Sequence, residues 1–299
     1  KGDAVKTQDV DGMAFVEVAT IWTGKAKASN GAYGLYPVQC QNVLIDKCEA
    51  VGASDAGIYV GQSDKVIVRN CRAYRNVAGI EIENTTNADV YDNIAEENTG
   101  GILVFDLPGL IKKSGGHVRV YRNKIIKNNY KNFAPEGNIV ATVPSGSGVI
   151  VLATSDVEIF ENEIINHKTF GISVASYYAA DRPFDDDQFD PFAARIHIHN
   201  NVFERKKQLP TLKNDMGKLA FLKFKRDLPD IAYDGIKNKD QWDGDQMKSD
   251  YKICIHDNNG ANFANMDLEN RGKNVSMDAS VFDCTGRQLP AVELMSKDR

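Results

Sequence analysis

The chain has 299 residues, with 36 Lys and Arg against 41 Asp and Glu, a formal net charge of −5, and 42% hydrophobic residues. That length can bury a sizeable core without help from disulfides or metals, and the acidic balance argues against a general nucleic-acid binder, whose phosphate contacts need a basic face. No apolar run approaches the roughly 20 residues of a membrane-spanning helix and no signal peptide is visible; Lys1 to Thr7 (KGDAVKT) reads as part of a coil, so any export signal is expected upstream.

From residue 34 onward the sequence repeats. GLYPVQ (34–39), GIYVGQ (57–62), GIEIEN (79–84), GILVFD (101–106), GVIVLA (148–153) and GISVAS (171–176) align without gaps, their glycines 23, 22, 22, 47 and 23 residues apart. A second series follows them: VLIDKC (43–48), VIVRNC (66–71), DVYDN (89–93), RVYRN (119–123), EIFEN (158–162), HIHNN (197–201) and CIHDN (254–258). Both alternate apolar with polar residues, the period of a strand with one buried face. A fixed period near 22 predicts a solenoid of stacked coils, here an all-β, right-handed parallel β-helix of about eight coils. Ile58, Ile80, Ile102, Val149 and Ile172 should form one inward ladder, and Val60, Ile82, Val104, Val151 and Val174 another. Cys48, Cys71, Asn93, Asn123, Asn162, Asn201 and Asn258 should form a corner ladder, since Asn tolerates tight bends and its amide can bond its copy one coil away.

Insertions are expected at 107–117, 127–147 and 177–195. The coils are assigned to residues 1–205, an irregular insertion to 206–250, and the last coil with a C-terminal cap to 251–299. Cys254 and Cys284 flank that cap and are expected to be bonded. Cys48 and Cys71 sit near enough to permit a disulfide without requiring one, and Cys40 is left over.

GASDAGIYVGQS, AGIEIENTTNADVYDN and TGGILVFDLPG resemble an exported family of parallel β-helix repeat proteins with no assigned reaction, and the resemblance covers most of the chain. That family is often encoded beside a di-haem c-type cytochrome. The resemblance therefore implies a periplasmic, secreted or cell-surface location and suggests a periplasmic c-type cytochrome as partner. The wider β-helix group includes pectate lyases, polygalacturonases and mannuronan C5-epimerases, which act on acidic polysaccharides. The DPH motif of the epimerases and the NTD and GHG elements of the polygalacturonases are absent here, as is the CxxCH of c-type haem attachment.

Strand parity turns Tyr36, Tyr59, Glu81, Glu83, Leu103 and Phe105 outward, and Asp106 leaves the next strand. Tyr rings suit the C–H faces of sugars, and paired carboxylates perform acid/base work or bind a cation that neutralises uronates. The plainer reading is a solvated strand face; burial of Glu81 and Glu83 under a loop would instead raise one pKa. Asp55 and Arg75, in neighbouring turns, are either a base and enolate-stabilising cation or a structural ion pair. Asp185, Asp186, Asp187 and Asp190 are a candidate Ca²⁺ loop, although they match no known motif. His197 and His199 share a face in a spacing that can ligate zinc or copper, with His256 in the His199 column. The column Tyr91, Tyr121, Phe160, His199 reads more simply as an aromatic stack or a surface covered by 206–250. The functional expectation is an exported protein engaging an acidic polysaccharide as a lyase, epimerase or hydrolase. The alternative is a non-catalytic binding scaffold.

Overall fold

In the computed structural model, which describes residues 2–295, the repeats wind into one stack of coils with strands in three parallel sheets. The first sheet orders Val5–Gln8, Tyr33–Val38, Ala56–Gly61, Ala78–Glu83, Gly100–Phe105, Ser147–Leu152, Phe170–Ala175, Ile231–Tyr233 and Phe263–Asn265. The second orders Asp11–Val16, Gln41–Asp46, Asp64–Arg69, Thr86–Tyr91, Gly116–Tyr121, Ser155–Phe160, Ala194–His199 and Ile253–His256. The third is built from three-residue strands, from Ala19–Ile21 to Val202–Glu204. The architecture is the right-handed parallel β-helix expected.

Both aliphatic ladders form. Ile58 stands beside Ile80, Ile80 beside Ile102, then Val149 and Ile172, and the Val60 to Val174 series runs parallel to it, all fully buried. Each coil turns out of the second sheet on a single left-handed residue. Lys47, Asn70, Asp92, Arg122, Glu161, Asn200 and Asp257 all have φ between 50° and 55°, which lets one residue redirect the chain while its side chain faces solvent. The next residue is the expected corner ladder. Asn93 donates to Asn123 at 3.0 Å, Asn123 to Asn162 at 3.0 Å, Asn162 to Asn201 at 2.9 Å and Asn201 to Asn258 at 2.9 Å. Each amide thereby satisfies buried polar groups at a bend, where no sheet bond is available. Cys48 and Cys71 continue the ladder as free thiols. A second ladder, Asn76–Asn98–Asn128–His167, lines the corner after the third sheet.

Residues 206–250 carry the helix Asp215–Phe224, N-capped by Asn214, and the first-sheet strand Ile231–Tyr233. Cys254 and Cys284 are joined by a disulfide. Beyond it the chain runs back as a strap across the outer face of the second sheet. The Leu289 amide donates to Glu158 at 3.0 Å, Val292 to Asp89 at 3.2 Å and Met295 to Asn42 at 3.2 Å.

Candidate functional site on the first sheet

The residues predicted to line an open groove stand on the outward face of the first sheet, as parity requires, but they are buried. Tyr59 stands beside Glu81 and Gly61 beside Glu83, and Tyr59, Glu81 and Glu83 are 4%, 1% and 8% exposed. Leu103 and Phe105 are buried with them, and Tyr36 is half-buried. The cover comes from the insertions after Phe105 and Ile126: Leu107 and Val143 pack on the cluster, and Asn138 reaches down to Asp55 at 3.3 Å. A solvated strand face is therefore not what these residues form.

Under this cover three tyrosine rings, Tyr33, Tyr36 and Tyr59, meet with centroids 4.5–4.8 Å apart. The Tyr59 hydroxyl donates to Glu83 Oε1 at 2.7 Å and Tyr33 donates to Asp55 at 3.3 Å. Tyr59 can reach Glu83 because residue 61 is glycine: a Cβ there would lie 2.1 Å from the Tyr59 hydroxyl. Glu81 Oε1 has no hydrogen-bond partner. Burial, opposed by its bonds from Tyr33 and Asn138, raises the Asp55 carboxyl to about 6. Burial raises Glu83 to about 7 against the Tyr59 hydrogen bond, and holds Glu81 well above the usual carboxylate range, reinforced by the charges of Asp55 and Glu83. Asp106, which accepts from the Gly115 amide at 2.9 Å, is likewise pushed up by burial to about 7. This corner is a set of carboxyls that burial raises toward neutrality, so that each holds its proton to a higher pH than it would in water.

The Asp55–Arg75 pair does not form. Arg75 sits on a left-handed corner residue that aims its side chain at solvent, where it meets Glu97 at 3.0 Å, while Asp55 turns inward beneath Asn138. Nor do the four aspartates of the 177–195 excursion converge. Asp186 accepts from the Gly109 amide at 2.8 Å and pairs with Lys113 at 3.0 Å, and Asp190 caps the Phe192 amide. That excursion is held instead by Tyr177, Phe184 and Phe189, whose rings meet at 5.3–5.4 Å.

Three coils further on, the same outward face is open. Its outward columns read Leu103, Ile150, Ser173, Ala232 and Phe105, Leu152, Ala175, and the shrinking side chains leave a cleft of about 680 Å³. Ile150, Leu152, Ser173 and Ala175 line it, together with Thr142–Pro144, Ala179–Arg182 and Lys213–Met216. The guanidinium of Arg182 donates to the Gly137 and Asn138 carbonyls at 2.8 and 2.9 Å, so this wall is continuous with the cover over Asp55. At one edge Asp234 accepts from the Ser176 amide and hydroxyl at 2.7 Å, and burial raises its carboxyl to about 6. None of these cleft residues was singled out from sequence. The available signal was the loss of bulk at Ser173 and Ala232 in the column that begins Tyr59, Glu81, Leu103, Ile150, and at Ala175 in the column that runs Glu83, Phe105, Leu152.

The class of molecule is thus a right-handed parallel β-helix with one outward sheet face half roofed and half open. A family model described as Right handed beta helix region matches residues 17–129. Curated proteins give no match. Among solved structures the chain is similar to the A-module of mannuronan C-5 epimerase AlgE4 from Azotobacter vinelandii, at 15% identity and TM-score 0.45, covering 66% of this chain and 47% of that one. It is also similar to a mutant of the periplasmic alginate epimerase AlgG, at 15% identity and TM-score 0.39, covering 69% and 42%. A third is the A-module of the Azotobacter vinelandii epimerase AlgE6, at 11% identity and TM-score 0.38, covering 68% and 63%. The chain therefore spans between 42% and 63% of the length of these structures.

Proposed function

We propose that this protein binds an acidic polysaccharide in the open cleft of the first sheet, as an exported protein. The observation that carries the reading is the composition of the cleft. An apolar floor of Ile150 and Leu152 offers a surface for sugar C–H faces, and Arg182 and Lys213 stand at the walls as the cations a uronate needs. Of the three aspartates that line it, Asp234 is turned into the Ser176 and Ile236 amides, Asp215 pairs with Lys218 at 2.8 Å, and Asp181 is exposed. The roofed carboxyls of Asp55, Glu81 and Glu83 have no place in such a groove as folded.

The test is retention of acidic and neutral polysaccharides by the purified protein, with unsaturated-product absorbance and reducing-end assays on the same panel. Lys213→Ala should weaken retention of an acidic glycan roughly tenfold or more, the size of one charge-assisted hydrogen bond, and Ser173→Trp should block it by filling the cleft. Equal retention by the parent and by folded Ser173→Trp protein would place the groove elsewhere. A parent that retains no glycan and turns none over would leave the scaffold reading, with a protein partner such as a c-type cytochrome.

A further inference from the structure

On the second sheet, two coils from its C-terminal end, Glu158 and His197 are strand neighbours, and His199 follows two residues on along the same outward face. Glu158, His197 and His199 are all buried. One ligand atom from each lies within 4.8 Å of the others: His199 Nε2 is 3.1 Å and His197 Nδ1 3.8 Å from Glu158 Oε1. The aromatic column beneath, Tyr91, Tyr121 and Phe160, stacks at 4.8–4.9 Å and carries on to His199 at 5.2 Å, which fixes that ring's plane.

His197 Nδ1 is buried with no hydrogen-bond partner. Its other nitrogen explains why. His197 Nε2 lies 2.8 Å from His256 Nε2, and His256 Nδ1 lies 2.9 Å from the Asp257 carboxylate. The arrangement that satisfies every member has Asp257 accepting from His256 Nδ1–H and His256 Nε2 accepting from His197 Nε2–H. This leaves a lone pair on His197 Nδ1, 3.8 Å from Glu158 Oε1, with the His197 ring lying over that of His199 at a centroid distance of 4.0 Å and planes 26° apart. Leaving a buried polar atom unmatched in this way is costly. A ring whose outer N–H is held by a histidine–carboxylate relay, with its inner lone pair free, is the state of a histidine prepared to ligate a metal.

We propose that Glu158, His197 and His199 bind one divalent transition-metal ion of the zinc type, with His256 and Asp257 as positioning residues for the His197 ring. Two imidazoles and a carboxylate are a zinc-type donor set that leaves a further coordination position. Bonds near 2.1 Å need the three side chains to close, one of the two stacked imidazoles to rotate so that both in-plane lone pairs meet the ion, and the proton that His199 Nε2 shares with Glu158 to leave. A cleft of about 230 Å³, lined by Asp156, Arg195 and Arg287, reaches His197 and provides a path of entry. The second oxygen of Glu158 is held by the Leu289 amide, so the ion would also fasten the C-terminal strap.

The experiment starts from full-length protein stripped with chelator and titrated with Co²⁺ and with Zn²⁺. One equivalent of Co²⁺ should give the visible d–d bands of a four- or five-coordinate nitrogen–oxygen site, and Zn²⁺ should displace it and raise the melting temperature. His197→Ala and Glu158→Gln should abolish the bands, and His256→Phe should weaken uptake by roughly 10–100-fold, as loss of an outer partner does. His117→Ala, on the same sheet but away from the cluster, should change nothing. Parent protein that shows no such bands overturns the proposal without recourse to any variant, and so do bands that survive unchanged in a folded His197→Ala protein.

Discussion

Glu83 shows how far strand parity alone can be trusted. Parity places it on the outward face, and it is there; what parity cannot show is that Leu107, Asn138 and Val143 lie over that face. Loops of irregular backbone have no period to read, so the step from outward to buried was not legible. Two consequences follow at this scale. Tyr59→Ala would be harmless on an exposed strand; here it should destabilise the fold by about 3–5 kcal/mol, the range for an aromatic ring lost from a packed site, and deprive Glu83 of its donor. Urea unfolding of the variant measures this. The second concerns pH. Asp55, Glu83 and Asp106 are raised from 3.8, 4.5 and 3.8 to about 6, 7 and 7. Because the folded state holds these protons more tightly than the unfolded chain, their contribution is fully present below about pH 4. It is lost as the pH rises from about 4, where the unfolded carboxyls ionise, to about 6 to 7, where the folded ones do, at up to about 1.4 kcal/mol per pH unit for each group. The melting temperature should therefore fall between about pH 4 and pH 7 and level off above, and Glu83→Gln, whose amide oxygen still accepts from Tyr59, should flatten that slope. An unchanged slope in the variant would show that Glu83 does not titrate in this window.

At the level of elements, the two long strand series and the Asn corner were readable because each repeats a recognisable chemical pattern every coil. The third sheet was not, since three residues such as Arg72–Tyr74 or Ile94–Glu96 are too few to show alternation. The second amide ladder escaped because its members, Asn76, Asn98, Asn128 and His167, follow those unread strands and end in a different residue type. The readable ladder supports its own prediction. Asn123 accepts from the Asn93 amide and backbone N–H, and donates to Asn162 and to the Val90 carbonyl. Asn123→Ala leaves several of these buried groups without partners at roughly 1–3 kcal/mol each, so a loss of about 3–5 kcal/mol is expected in equilibrium unfolding. A loss below 1 kcal/mol would mean that water replaces the amide and that the ladder is not a source of stability.

Across the whole molecule, the coils obey nearest-neighbour logic, each strand pairing with the copy one coil away. The C-terminal strap does not. Its three anchoring amides bridge sequence separations of 131, 203 and 253 residues. A stack can grow by adding one neighbour at a time, whereas the strap finds Glu158, Asp89 and Asn42 only after those coils stand in line. Loop closure over such spans is entropically unfavourable and is recovered only when the aligned partners are present. Refolding should consequently finish with a slow phase that buries the Leu289 and Val292 amides, visible as late protection in pulse-labelled hydrogen exchange. A chain truncated after Thr285 should lack that phase while keeping the faster ones, and protection of those amides at the same rate as the core would contradict it. The strap would then act as a kinetic checkpoint, closing only on a stack whose coils have been laid down in register.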